Sequence, residues 1–210
     1  MIITLNITQM AILYLFLAIG IFLFCRKRGE PPVRFVLFAA AAGYLLLLLQ
    51  CTLLPVRTGS LYPYIFFTAE EIRNIQPIPF TTISLFAGTI YWRVQIFGNI
   101  LLLAPVPVFL GLIRPDMNGK KLFFTGLLSS VSIEALQLLE NMAARYPNRV
   151  VDIDDVFLNT AGVLLGVIGL LFFRKIRGAG TSAEKTGTEP EPRVEKQHGG
   201  GYNRNISESR

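Results

Sequence analysis

The sequence predicts an all-α integral membrane protein, a polytopic bundle of about five transmembrane helices. Of its 210 residues, 52% are hydrophobic, and the mean hydropathy is +0.49. Soluble domains are about 45–50% apolar, so composition by itself only suggests a membrane protein. The distribution decides the class, because the apolar residues fall into runs of about 17 to 22, which suit a hydrocarbon core of about 30 Å. We therefore expect a multi-pass protein of the cell membrane.

Five apolar runs define the expected spans. They are residues 7–24, 35–56, 96–113, 122–139 and 156–173. The first is interpreted as a retained helix rather than a cleaved signal peptide, because no Lys or Arg precedes it and no small-residue cleavage site follows it. Pro105 and Pro107 lie inside the third span, where proline removes a backbone hydrogen bond and kinks the helix.

Basic residues beside the spans predict the orientation of the chain. One set of flanks comprises the segment after the first span, the segment between spans three and four, and the residues just after span five. It contains ten Lys and Arg residues: Arg26, Lys27, Arg28, Arg34, Arg114, Lys120, Lys121, Arg174, Lys175 and Arg177. The opposite flanks carry five: Arg57, Arg73, Arg93, Arg145 and Arg149. The first set is expected in the cytoplasm, which puts the N-terminus outside and the C-terminus inside. Although the net charge is +6, no basic surface with a recognition motif accompanies it, so nucleic-acid binding is not predicted.

The chain is predicted to have three parts. Residues 1–34 form the first transmembrane helix and a basic cytoplasmic segment, and residues 35–175 form the main membrane domain. Residues 176–210 are rich in Gly, Glu, Lys, Ser and Thr, so they cannot bury enough apolar surface to fold and are expected to be a disordered cytoplasmic tail. The outer loop, residues 58–95, is too long for a structureless connection and is predicted to pack as a cap or a re-entrant piece.

Polar side chains are concentrated in the last two spans. On a helix, Glu134 and Gln137 share a face because they are three residues apart. Asp152, Asp155 and Asn159 share one arc of the next helix, at spacings of three and four. An ionised carboxylate within a span costs about 2.5–3.5 kcal/mol on insertion scales, so Glu134 is expected to have a partner or a function.

Two further polar residues are predicted to join this cluster, and two glycines are predicted to pack the helices that carry it. Gly162 and Gly166 have the four-residue spacing that permits close helix contact in a membrane, and they are expected to pack span five against span four. That contact would bring the two polar faces together. Arg149 is the nearest cation able to pair with the carboxylates, and its planar guanidinium suits two-point contact. Asn99 lies on span three at a depth that allows it to join the cluster.

Each polar residue also has a structural alternative. Aspartates that precede a helix stabilise its N-terminus and can cap it, which applies to Asp152, Asp154 and Asp155. Hydrogen bonding between helices explains Gln137 and Asn99 as well as a chemical role does.

Metal and disulfide chemistry are not predicted. His198 is the only histidine, and no paired cysteine spacing exists, so neither a metal site nor a cofactor is expected. Cys25 and Cys51 fall at opposite membrane faces in the predicted topology, which is too far apart for a disulfide bond.

The spacing of the cluster resembles that of the VanZ-like family. The matching residues are Glu134, Gln137, Arg149, Asp152, Asp155, Asn159, Gly162 and Gly166. Residues 98–105 resemble the family's asparagine-containing helix, and residues 74–80 resemble its outer loop. The resemblance covers about residues 35–175 and implies a small bacterial membrane protein. The founding member of the family is associated with low-level resistance to the antibiotic teicoplanin, but the resemblance supplies no established biochemical activity.

Three functions remain open at this point. The first is a non-enzymatic protein that modulates the cell envelope or glycopeptide susceptibility, with membrane lipids, a lipid-linked wall precursor or a lipoglycopeptide as partner. The second is a membrane-embedded enzyme acting on a lipid head group, in which Glu134 is the general acid or base and Arg149 holds an anionic group. The third is a small transporter, because intramembrane carboxylates mark ion pathways; a homo-oligomer would supply the symmetry that five spans lack.

Overall fold

A computed structural model describes residues 2–58 and 66–186, with side chains up to residue 177. The helices are α1 (Ile7–Arg28), α2 (Pro32–Leu53), α3 (Ala69–Arg73), α4 (Thr81–Phe86), α5 (Ile90–Leu103), α6 (Pro105–Ile113), α7 (Gly119–Ala144) and α8 (Ile153–Thr186). Four two-residue strands accompany them: β1 (Ile2–Ile3), β2 (Val56–Arg57), β3 (Ile75–Gln76) and β4 (Val151–Asp152). The chain divides into a membrane unit, Met1–Arg174, and a C-terminal unit, Lys175–Arg210.

The predicted helical fold class is confirmed. Among the described residues, five helices are long and apolar enough to cross a membrane: Ile7–Arg28, Pro32–Leu53, Ile90–Ile113, Gly119–Ala144 and Ile153–Arg177. The side of the membrane on which each terminus lies stays a prediction. The disordered tail was predicted from residue 176, but α8 continues to Thr186; for residues 187–210, which lie outside the described part of the chain, the disordered tail stays a prediction.

Local signals set several helix ends. Asn6 and Gln9 form a reciprocal capping box at the start of α1, and Gly29 is its C-cap, with φ of 65°. Asn118 caps the start of α7 by accepting a hydrogen bond from the Lys121 backbone N–H, and Arg145 is the C-cap of α7, with φ of 51°. These side chains satisfy backbone groups that the helix termini leave without intrahelical partners.

The apolar core of the membrane unit lies among α5, α6, α7 and α8. Its buried members are Leu103, Leu122, Ile133, Val163, Val167 and Leu170. The helices of the membrane unit expose large apolar side chains, including Phe16, Leu47, Phe97, Leu128 and Phe172. An apolar surface of this extent suits contact with lipid, where the helical backbone satisfies its own hydrogen bonds.

The third span is interrupted at its prolines, as the sequence predicts. α5 ends at Leu103, and α6 begins at Pro105. The Tyr44 hydroxyl on α2 donates a hydrogen bond of 2.6 Å to the Leu102 backbone carbonyl at this break. A neighbouring helix therefore satisfies a carbonyl group at the interruption.

Removing this hydroxyl with Tyr44→Phe is expected to lower the free energy of unfolding by about 1 kcal/mol, the net value of a typical protein hydrogen bond. The thermal midpoint of the purified protein in detergent measures the change. Tyr14→Phe is the matched control on α1, because no hydrogen bond from the Tyr14 hydroxyl is found among the described residues. Equal midpoints for the two variants would contradict a stabilising role for the Tyr44 hydroxyl.

The described part of the outer loop has structure of its own. We call residues 66–89 the cap; it comprises α3, β3 and α4. β3 pairs in parallel with β4, in the register Ile75 with Val151 and Gln76 with Asp152. Asn74 adds to this contact, because its side chain donates to the Arg149 carbonyl at 3.0 Å. The loop thus packs on the connection between α7 and α8, as its length predicts, and residues 59–65 lie outside the described part.

The predicted partner of the two spaced glycines is wrong. A Cβ added at Gly162 would lie 1.9 Å from the Ile100 carbonyl oxygen, and one at Gly166 would lie 2.1 Å from the Ala104 carbonyl oxygen. These glycines therefore bring α8 against α5 and its proline break, not against α7. The contact between α7 and α8 uses Gly126 instead, which faces Val163.

Candidate functional site

A polar cavity of about 570 Å³ lies at the end of the bundle where α2 ends and α5 begins. All seven residues that the sequence predicts for the polar cluster line it: Asn99, Glu134, Gln137, Arg149, Asp152, Asp155 and Asn159. Further polar lining comes from Thr52, Gln76, Thr82 and Gln95, so α2 and the cap also contribute. The antiparallel course of the spans explains the convergence, because the end of α7 and the start of α8 meet at one end of the bundle.

Two side chains of α7 reach other elements from this cavity. The Glu134 carboxylate is buried and accepts a hydrogen bond of 2.9 Å from the Asp152 backbone N–H. The Gln137 amide nitrogen donates to the Thr52 carbonyl of α2 at 3.0 Å. Glu134 and Gln137 thus fix α7 to the start of α8 and the end of α2, which gives the carboxylate a defined position.

Asp152 combines a structural role with a place in the cavity. One carboxylate oxygen accepts from the Asp154 backbone N–H at 2.9 Å, which caps the first turn of α8. The other accepts from the Thr82 hydroxyl of the cap. The capping alternative therefore applies to Asp152, and its second oxygen ties the cap to the cavity.

Asp155 is held by two amides of α5. Its Oδ1 accepts from the Gln95 side chain at 3.0 Å and from the Asn99 side chain. Gln95 was missed by sequence reasoning, although its four-residue spacing from Asn99 puts both on one helix face. The interaction places Asn99 in the cluster, as expected, and leaves the second oxygen of Asp155 without a hydrogen bond among the described residues.

Asp154 has a role different from the one suggested by the sequence, which was to stabilise or cap the start of its own helix. It is not among the residues that line the cavity, and it is fully buried. Its carboxylate accepts from the backbone N–H groups of Phe80, Thr82 and Ile83, at 2.9 Å for Thr82 and 3.1 Å for Ile83. Asp154 therefore caps α4 of the cap and not its own helix.

The predicted ion pairing of Arg149 is wrong. In the described part of the chain its guanidinium makes no ion pair; it donates to the Leu54 carbonyl at 2.6 Å. Asn141 holds the Arg149 backbone from both sides, since it accepts from the N–H at 3.1 Å and donates to the carbonyl at 2.8 Å. Arg149 thus lines the cavity as a cation whose position is set by backbone contacts.

Several buried polar atoms of the residues that line the cavity have no hydrogen-bond partner among the described residues. They are Gln137 Oε1, Asn159 Oδ1 and Arg149 Nε. Each such buried group costs about 1–3 kcal/mol if it stays unsatisfied, so water or a ligand normally occupies the space beside it. The cavity therefore has the chemistry of a binding site. Residues of α7 and α8 supply acceptor oxygens to its wall, and Arg149 supplies a guanidinium group.

A metal centre is not formed by the described residues, among which no group of three or more His, Cys, Asp or Glu could hold an ion. The carboxylates are instead occupied in part by backbone and side-chain donors from three different elements.

The defining sequence pattern of the VanZ/LLP1 family matches residues 41–174 of the chain. This match covers the polar cavity, α5 to α7, most of α2 and the membrane unit's part of α8, and it agrees with the resemblance noted in the sequence. No curated protein and no solved structure matches the chain.

Proposed function

Since the chain belongs to the VanZ/LLP1 family, we propose that this membrane protein binds the polar head of a membrane-resident ligand in its cavity. By doing so in the bacterial cell membrane it modulates the cell envelope and lowers susceptibility to teicoplanin. The observation that carries the proposal is the polar cavity itself, with unpartnered buried atoms inside an otherwise apolar bundle.

The size and surroundings of the cavity support a head-group ligand. A volume of about 570 Å³ falls within the range of small-molecule sites, about 300–1,000 Å³. The helices that enclose it present apolar side chains outward, so a ligand with an acyl or polyprenyl tail can keep the tail in lipid while its head is bound. Membrane phospholipids, lipid-linked wall precursors and lipoglycopeptides such as teicoplanin share this form.

Preorganisation also supports binding. Hydrogen bonds fix one carboxylate oxygen of Glu134, one of Asp155 and both of Asp152 before a ligand arrives. Groups held in this way lose little conformational freedom on binding, so more of the interaction energy contributes to affinity.

Expression in a Gram-positive host tests the proposal. The wild-type chain is expected to raise the inhibitory concentration of teicoplanin severalfold, whereas Glu134→Gln and Asp155→Asn lose the effect because each replaces a carboxylate of the cavity wall with an amide. Vancomycin, which has no acyl tail, is expected to be affected less. Susceptibility is measured at matched membrane levels of each protein.

Asp116→Asn is the matched control, because Asp116 is exposed and, within the described part of the chain, forms an ion pair only with Arg114 at 3.5 Å. It should protect as well as the wild type. A well-inserted wild-type protein with no effect on either antibiotic would remove the glycopeptide part of the proposal. Protection by both cavity variants would show that the cavity is not the working site.

A further inference from the structure

We propose that the ligand of the cavity is zwitterionic: a primary ammonium group binds to its acceptor oxygens, and an anionic oxygen binds to Arg149. This inference rests on the proposed function and names the chemistry of its ligand. It follows from which atoms of the wall lack partners and from which kind of group can satisfy them.

The unpartnered amide atoms require a hydrogen-bond donor. Gln137 lines the cavity and is 8% exposed; its nitrogen donates to the Thr52 carbonyl, and its oxygen is buried with no hydrogen-bond partner among the described residues. Asn159 also lines the cavity, is 1% exposed, and has a buried side-chain oxygen that is likewise without a partner in the described part of the chain. A ligand with several N–H groups satisfies such atoms, and a primary ammonium carries three.

The charges of the wall favour a cation beside these oxygens. Glu134, Asp152 and Asp155 face the cavity, against Arg149 as the one guanidinium among its described lining residues. A bound cation stabilises the charged form of neighbouring carboxylates in a partly buried site. The acids do not gather into a metal-binding group within the described chain, so an ammonium fits better than a metal ion.

The same wall disfavours a quaternary ammonium. Groups of that kind have no N–H donor and bind in cages of aromatic rings. Phe86 is the one aromatic residue among the described lining residues. The cavity therefore discriminates an ammonium with protons from its methylated form.

Arg149 supplies the anionic half of the site. One of its terminal nitrogens donates to the Leu54 carbonyl. Within the described part of the chain, Nε is buried without a hydrogen-bond partner and no carboxylate forms an ion pair with the guanidinium. Planar guanidinium donors match phosphate and carboxylate oxygens. Because Arg149 and the carboxylates line one cavity without forming an ion pair, a single ligand can bind both.

An aminophospholipid head group and the stem amine of a lipid-linked wall precursor both carry this chemistry. The full-length protein in a non-ionic detergent is mixed with equal amounts of phosphatidylethanolamine, phosphatidylcholine and phosphatidylglycerol that share the same acyl chains. Native mass spectrometry then counts the lipids retained. A second arm compares a lipid-linked muropeptide that has a free amine with its N-acetylated form.

We expect at least tenfold preference for the free-amine ligand in one arm, which corresponds to about 1.4 kcal/mol. Glu134→Gln and Asp155→Asn should reduce the preference, Arg149→Gln should weaken retention of the same ligand, and Asp116→Asn should change neither. The comparison between ligands on the wild-type protein does not depend on any variant folding.

If phosphatidylcholine and the N-acetylated muropeptide are retained as well as the free-amine ligands, or if phosphatidylglycerol is preferred, the inference of a zwitterionic ligand is overturned. The proposal that the cavity binds a head group would still stand. Retention of none of these ligands would overturn the proposed function as well. Retention of free-amine ligands that is unchanged in both carboxylate variants would place their binding outside the cavity and would also overturn the inference.

Discussion

Gly162→Ala is expected to disrupt the bundle, with the largest loss of stability that a single added methyl group produces here. The new Cβ would lie 1.9 Å from the Ile100 carbonyl oxygen, 2.8 Å from its carbon and 3.1 Å from its Cα. All three are backbone atoms of a helix, so no flexible side chain can move aside. Overpacking costs about 1–3 kcal/mol, and occasionally more, in sites that can relax. We expect this one to exceed that range. The yield of monodisperse protein and its thermal midpoint in detergent measure the effect.

Gly169→Ala is the matched control on the same helix. No heavy atom lies within 4 Å of an added Cβ at this position. Alanine is a better helix former than glycine by about 0.8–1 kcal/mol, so this variant should equal or exceed the wild type in stability. Similar midpoints for the two variants would contradict the close approach of α8 to α5.

The Gly162 contact also determines the shape of the cavity. Asn159 lies one helical turn before Gly162, and Asn99 precedes Ile100 directly. The close approach of the two helices therefore sets the separation between the α8 acceptors and the α5 amides that bind Asp155. A partly folded Gly162 variant is accordingly expected to lose ligand binding before it loses helix content.

The spans and the members of the polar cluster were predictable because each depends on local sequence. A bilayer requires long apolar runs, and helical spacing puts Glu134 with Gln137 and Asp155 with Asn159. The fact that these pairs line one cavity follows from the antiparallel course of neighbouring spans. The sequence spacing of residue pairs was enough for these conclusions because the membrane restricts the backbone to helices.

Long-range partners were not predictable in the same way. A four-residue glycine spacing shows that α8 has a face for close packing, but it does not identify the helix that approaches, which is α5. The nearest charges in sequence suggested ion pairs for Arg149, yet its guanidinium binds the carbonyl of Leu54. A buried carbonyl competes with a carboxylate for the same donors, and helical spacing does not encode which of them is closer.

The partners of Asp154 were also not predictable from the sequence, and its substitution is expected to destabilise the cap more than any other single change. Its three hydrogen bonds to the N–H groups of Phe80, Thr82 and Ile83 fix the start of α4. Phe80 has φ of 64° and offers no side-chain cap of its own, so the carboxylate of a distant residue replaces it. Nothing in the spacing of residues 152–155 reveals that a segment about seventy positions earlier supplies the partners.

Asp154→Asn is expected to release the cap. The asparagine side chain has only one acceptor oxygen, and its NH₂ group would face backbone N–H groups that are themselves donors. Each buried N–H left unsatisfied costs about 1–3 kcal/mol. Hydrogen exchange at the backbone amides of Thr82 and Ile83 should therefore accelerate by more than tenfold, the factor that corresponds to about 1.4 kcal/mol.

Asp155→Asn is the neighbouring control, because the Asp155 side chain contacts α5 and not the cap. It should leave both amides protected while weakening ligand binding. Equal exchange in the two variants would show that Asp154 does not hold the cap. Faster exchange in Asp154→Asn alone, together with weaker ligand binding in Asp155→Asn, would show that Asp154 holds the cap and that Asp155 serves the cavity.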